Sequence, residues 1–299
     1  MGYLIGVTAL WAFSFSLIGA YLAGQVDSYF AVLVRIGLAS LLFLPFLRPA
    51  ALPNRMKLAL MAVGAIQLGL MYIFFYQSFL LLTVPEVLLF TILTPVYVTL
   101  IDDMLSGRFA PFYLLTAAFA VLGAAVIRYE GVNSDFWLGF AVVQGANLCF
   151  AIGQVAYRHL ARRLPAELPQ RSLFGWFYLG ALALVIVAFG LFGSTDKLPT
   201  SGVQWGVLGW LGLAASGLGY FLWNKGATRV DAGALAIMNN ALIPAGLLVN
   251  LLIWNRDADL SRLVLGGAII VAALLVNEGW ARWRSAKGVA GESQAASHR

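Results

Sequence analysis

The chain has 299 residues, of which 61% are hydrophobic and only 11% charged, and its mean hydropathy is +0.86. A soluble domain runs nearer about 45–50% apolar and about 25% charged, so this composition excludes one and points to a polytopic, all-α integral membrane protein. The net charge of +6 does not imply nucleic acid as a partner, because the basic residues are scattered through the connections between apolar segments instead of forming one patch.

A membrane-spanning helix needs about 20 apolar residues. Ten such segments can be laid out, at 3–22, 29–47, 57–81, 85–102, 110–127, 136–157, 172–192, 203–224, 232–254 and 262–280. The first begins at Tyr3 with no basic region before it and reads as a retained helix, not a signal peptide. The second contains Arg35, the one basic residue inside a segment; about two turns from the outer face, it lies within snorkelling reach and reads first as structural, although a carboxylate-bearing substrate could use it. The third and fourth form a pair joined by a short turn at Thr83-Val84-Pro85, and carry Tyr72, Tyr76, Glu86, Pro95 and Tyr97. The sixth carries Gln144, Asn147, Gln154 and Cys149, the sole cysteine. The eighth carries Tyr220 and Trp223, and the ninth Asn239, Asn240 and Pro244. Breakers stand between the segments at Pro49 and Pro53, Pro111, Pro165 and Pro169, and Pro199. Residues 285–299 are small and polar and read as a disordered cytoplasmic tail.

Lys and Arg set the orientation. One side of this layout holds 14 of them and the other 4, so both termini are expected in the cytoplasm. Tyr72 aligns with Tyr220 at an offset of 148 and Pro95 with Pro244 at an offset of 149, which suggests an internal duplication. Five segments is an odd number, so the second copy enters from the opposite side. The expected domains are a first unit at 1–131 and an inverted second unit at 132–284. In transporters built this way the substrate path lies near the midplane, between the repeats.

At this point the chain resembles the drug/metabolite transporter superfamily, in its EamA-type ten-helix branch. The resemblance rests on Leu10-Trp11-Ala12-Phe13-Ser14-Phe15, Arg35, the Tyr-rich third segment, Leu93-Thr94-Pro95 and Gly123, then on Gly219-Tyr220-Phe221-Leu222-Trp223 and Leu242-Ile243-Pro244. It covers nearly the whole chain. Many members carry a Glu in the turns after the fourth and ninth helices; here those turns read Asp102-Asp103-Met104 and Trp254-Asn255-Arg256-Asp257. The aromatic density resembles that of the bacterial aromatic amino acid exporters, which implies a multi-pass protein of the bacterial inner membrane.

Tyr72, Tyr76, Tyr97 and Tyr220 fall deep in their segments, where a hydroxyl needs a partner or a wet cavity. Together with Trp11, Trp223, Asn147, Asn239 and Asn240 they are the candidates for a cavity lining; helix–helix hydrogen bonding is the competing reading. Lining residues are expected from segments 1, 3, 4, 6, 8 and 9. Pro95 and Pro244 each free a carbonyl four residues earlier and could serve as hinges or as static kinks. Glu86 is the candidate for proton coupling. No nucleophile–base pair, Cys/His metal spacing or phosphate-binding loop is present, so neither an enzyme nor a cofactor is expected. The expectation is a monomeric uniporter that exports amino acids, aromatic ones included, by alternating access. A proton-driven exporter of cationic drugs is the alternative.

Overall fold

The computed structural model describes residues 2–48, 52–105, 134–163, 169–229 and 232–254, with isolated positions between 261 and 279. The predicted segment 110–127 (with Gly123), most of 262–280 and the tail at 285–299 lie outside the described residues. Eight helices lie within the continuous described stretches. They are α1 (Gly2–Tyr21), α2 (Ser28–Phe43, continued by a 3-10 turn at Leu44–Phe46), α3 (Asn54–Ser78) and α4 (Val84–Phe90, Thr91–Leu93 and Thr94–Leu105). Then come α5 (Ser134–Ala161), α6 (Gln170–Phe192), α7 (Gly202–Ala227) and α8 (Ala232–Ile253). Seven of them are long and apolar enough to cross a membrane, and α8 adds a shorter apolar stretch over Met238–Ile253.

The helix starts follow local chemistry. Asp27 caps α2 by accepting the Phe30 N–H at 2.8 Å. Proline ends the preceding loop before α3 (Pro53) and α6 (Pro169) and stands in the first turn of α4 (Pro85). Thr83 with Glu86, and Ser201 with Gln204, form capping boxes at α4 and α7. Gly24 takes φ +72° in the turn that leaves α1, a conformation that glycine adopts without the Cβ clash. That turn is fastened to the α6–α7 connection, where the Asp27 N–H donates to the Lys197 carbonyl at 2.8 Å.

Two helices share an irregularity. The middle of α3, Ala65–Leu70, and the middle of α7, Leu211–Leu218, are wound as π-helix. The two stretches end 148 residues apart, the same offset that relates Tyr72 to Tyr220. π turns are rare and occur mostly at functional positions.

Small residues set the helix crossings. α3 packs against α6, and the π stretch of α7 packs against α2. A Cβ on Gly64 would overlap the Phe177 carbonyl, and one on Gly180 the Met61 carbonyl, so the α3–α6 backbones are in direct contact. Gly212 serves the α7–α2 crossing, where an added Cβ would stand 2.8 Å from Leu38 Cβ. Gly64→Leu is therefore expected to cost about 1–3 kcal/mol by overpacking and to lower the Tm of the purified protein in detergent. Gly209→Ala, whose added Cβ meets nothing within 4 Å, serves as the control with an unchanged Tm.

Candidate functional site

The helices enclose a cavity of about 100 Å³. Trp11, Ser14 and Phe15 of α1, Arg35 of α2, Tyr72 and Phe75 of α3, Thr91 and Thr94 of α4, Asn147 and Phe150 of α5, Tyr220 and Trp223 of α7, and Asn239 and Leu242 of α8 face it. These are the six segments expected from the sequence plus the second, which enters through Arg35.

Arg35 is the centre of the site. It is only 2% exposed, so it does not snorkel as its position in the segment suggests. Its side chain turns into the bundle, with the guanidinium carbon 4.0 Å from the centroid of the Tyr72 ring. Nε donates to the Ser216 hydroxyl, and Nη1 donates to the Tyr76 hydroxyl at 3.4 Å. No carboxylate pairs with it among the described residues. The ring face contributes about 2 kcal/mol or more at a desolvated site. A buried cation held by neutral groups alone keeps much of its desolvation cost, which an incoming anion would offset.

The π stretch of α7 builds the wall behind Arg35. Widening the turn releases carbonyls from the helical ladder, and side chains take them up. Trp11 Nε1 donates to the Ala215 carbonyl at 2.8 Å, and the Tyr178 hydroxyl donates to the Ser216 carbonyl at 2.6 Å. Ser216 also bonds the Tyr72 hydroxyl at 2.9 Å. One residue of a π turn thus organises α2, α3, α6 and α7 around the guanidinium. From Arg35 a chain of ring contacts runs Tyr72 to Tyr220 (5.8 Å between centroids), Tyr220 to Trp11 (4.8 Å) and Trp11 to Trp223 (5.0 Å). Tyr72 and Tyr220, aligned across the two halves of the sequence, meet in this chain.

The α4–α5 wall is a second polar group with its bonds already made. Asn147 Nδ2 donates to the Phe90 carbonyl at 2.9 Å and to Gln144 Oε1 at 3.0 Å, and Thr94 Oγ1 donates to Asn147 Oδ1 at 3.2 Å. The carbonyl that Pro95 frees, at Thr91, accepts the Thr94 hydroxyl at 2.7 Å. The irregular turn at Thr91–Leu93 is thereby pinned.

Of the residues singled out from the sequence, Trp11, Tyr72, Asn147, Tyr220 and Asn239 face the cavity. Tyr76 stands behind Arg35, and Tyr97 is turned to Gln144, to which its hydroxyl donates at 3.3 Å. Asn240 does not face the cavity, and Pro244 is exposed on the outside of α8. Glu86 is only 5% exposed but lies off the cavity, where its Oε2 accepts the Thr83 N–H at 2.7 Å and the Thr83 hydroxyl at 2.8 Å. Sequence reasoning passed over Ser14, Thr91 and Thr94 as lining and put the structural role of Arg35 ahead of its use by a carboxylate-bearing substrate. The absence of any acid in the first three segments was the available signal that this cation lacks a fixed partner.

The EamA-like transporter family matches residues 137–278. A probable biotin transporter of Pseudomonas aeruginosa is 59% identical over 277 residues, covering 93% of this chain and 97% of its own. The chain belongs to the EamA-like transporter family. Biotin transporters of Salmonella typhimurium and Escherichia coli K12 are 52% and 51% identical over 288 residues, 96% of either chain in both cases. A solved crystal structure of a protein 20% identical in sequence superposes with a TM-score of 0.64, over 91% of this chain and 94% of that one, and shows the same fold. The transporter is thus a multi-pass protein of the bacterial inner membrane, in the drug/metabolite transporter superfamily.

The position of Glu86 generates a prediction. Gln at 86 can still accept the Thr83 N–H, so Glu86→Gln is expected to leave both stability and transport within about twofold of wild type. Glu86→Ala loses the cap and about 1 kcal/mol of stability, read as a lower Tm. Loss of transport in a well-folded Glu86→Gln protein would instead assign the carboxyl a coupling role.

Proposed function

We propose that the transporter carries biotin across the inner membrane, with the biotin carboxylate on Arg35 and the apolar body of the vitamin against the Tyr72–Tyr220–Trp11 rings. The observation that carries this reading is the buried guanidinium facing the cavity with no carboxylate of its own among the described residues. A substrate carboxylate supplies the missing counter-charge in a bidentate geometry that Arg favours. The relatives named biotin transporters, all more than half identical to this chain, support the choice of carboxylate-bearing substrate.

Export of amino acids, the expectation from aromatic density, gives way on this reading. An amino acid brings an ammonium group as well as a carboxylate, and no acid faces the cavity among the described residues to receive it. A cationic drug meets the same obstacle more strongly, since its charge would be repelled by Arg35. Facilitated uniport is retained, because Glu86 is engaged in the cap of α4 and lies away from the cavity.

The ten-helix arrangement is retained as part of the proposal. Its support is the common offset of the two π stretches and of the two tyrosines, together with a family match that falls within the expected second unit at 132–284. A monomer suffices, since one chain supplies every residue of the cavity wall.

Counterflow of radiolabelled biotin in proteoliposomes, with no pH gradient imposed, tests the proposal. Wild type is expected to accumulate label, and excess unlabelled biotin to compete. Biotinol, in which an alcohol replaces the carboxylate, is expected not to compete. Arg35→Gln should lower counterflow by roughly 10- to 100-fold, the equivalent of about 1.5–3 kcal/mol for a charged hydrogen bond, while Arg35→Lys retains part of it. Equal competition by biotinol and biotin, or no biotin counterflow at all, would sink the reading.

A further inference from the structure

The polar groups of the cavity wall divide into those whose hydrogen bonds are made and those whose bonds are not. Thr91, Thr94 and Asn147 donate to one another or to backbone carbonyls, and the Tyr72 hydroxyl is bonded to Ser216. Three cavity-facing residues are different. Ser14 Oγ, Trp223 Nε1 and Asn239 Nδ2 are buried atoms with no hydrogen-bond partner among the described residues. Ser14 is 3% exposed and Trp223 is 1% exposed.

All three are groups that can donate. They also lie on neighbouring helices, because α1, which carries Ser14, packs along both α8 and the second half of α7. The ring contacts place Trp223 at the far end of the chain that begins at Arg35. A buried donor left without a partner costs about 1–3 kcal/mol. Gln67, Gln154 and Tyr157 also carry unpartnered buried atoms among the described residues, away from the cavity; what sets Ser14, Trp223 and Asn239 apart is that all three residues line it, where a ligand acceptor can be brought to them.

We propose that Ser14, Trp223 and Asn239 form a second recognition point that accepts an uncharged carbonyl oxygen of the substrate, distinct from the carboxylate held by Arg35. The inference rests on the reading of biotin as substrate and names the group that decides specificity, the ureido carbonyl. Biotin has its carboxylate at one end, the ureido oxygen at the other and apolar atoms between. The cavity offers a cation, a run of rings and a set of unpaired donors. A site built to satisfy buried donors discriminates strongly against a molecule that lacks the acceptor, because the donors then remain unpaired.

Competition against labelled biotin in wild-type proteoliposomes provides the test, and needs no variant to fold. Desthiobiotin keeps the carboxylate and the ureido oxygen and is expected to compete within about threefold of biotin. In 2-thiobiotin a sulfur, a weaker acceptor, replaces the ureido oxygen without changing the charge; it is expected to compete about tenfold less well. Asn239→Leu should weaken biotin itself by about tenfold and shrink the difference between biotin and 2-thiobiotin. Equal competition by the two compounds in wild type would overturn the recognition point and leave biotin as substrate intact. A preference for biotin that persists undiminished in a folded Asn239→Leu protein would remove Asn239 from it. Absence of biotin counterflow in wild type would overturn the parent reading and this one together.

Discussion

A guanidinium buried in an apolar bundle is the constraint around which the rest of the site is arranged. Arg35 is buried in this fold, and among the described residues its charge is met by neutral groups: a phenol ring beneath it, one serine hydroxyl and one tyrosine hydroxyl. Each of those groups comes from a different part of the chain, and each is itself held in place. Ser216 is positioned by a π turn, and Tyr72 is bonded to Ser216. The cation is therefore rigidly presented but electrostatically incomplete, which is the condition in which a bound anion gains most.

The π stretches give that arrangement its backbone. In a regular α-helix every carbonyl is used in the ladder, and a membrane interior gives no water to satisfy one that is not. In α7 the carbonyls of Ala215, Ser216 and Gly217 receive the side chains of Trp11 and Tyr178, so that the irregular turn binds helices together instead of weakening them. The equivalent stretch of α3 lies against α6, close to the Gly64–Gly180 crossing. The two irregular stretches end at the same sequence offset that relates Tyr72 to Tyr220.

Much of this was legible before the structure. The apolar segments 57–81 and 203–224 became α3 and α7 because length and hydropathy decide which stretches lie in a bilayer. The lining helices could be anticipated from deep tyrosines and amides, since such groups avoid lipid. The roles of individual residues were less accessible. Asn147 and Asn239 look alike in sequence, yet one has its bonds made within α4–α5 and the other has a donor without a partner among the described residues. Tyr72 and Tyr76 are one turn apart, yet one faces the cavity and the other stands behind the cation.

Composition and spacing by themselves determined that this is a helical membrane protein and suggested two echoing halves, because hydrophobic length and internal offset are properties of the chain alone. Only the tertiary structure decided the direction in which Arg35 points. A cation about two turns from a membrane face can reach outward to water or inward to a partner, and the choice depends on what the neighbouring helices offer. Here Ser216 and the Tyr72 ring, 181 and 37 residues away in sequence, are what draw it inward. That contact turns the guanidinium away from the membrane face and into the cavity wall.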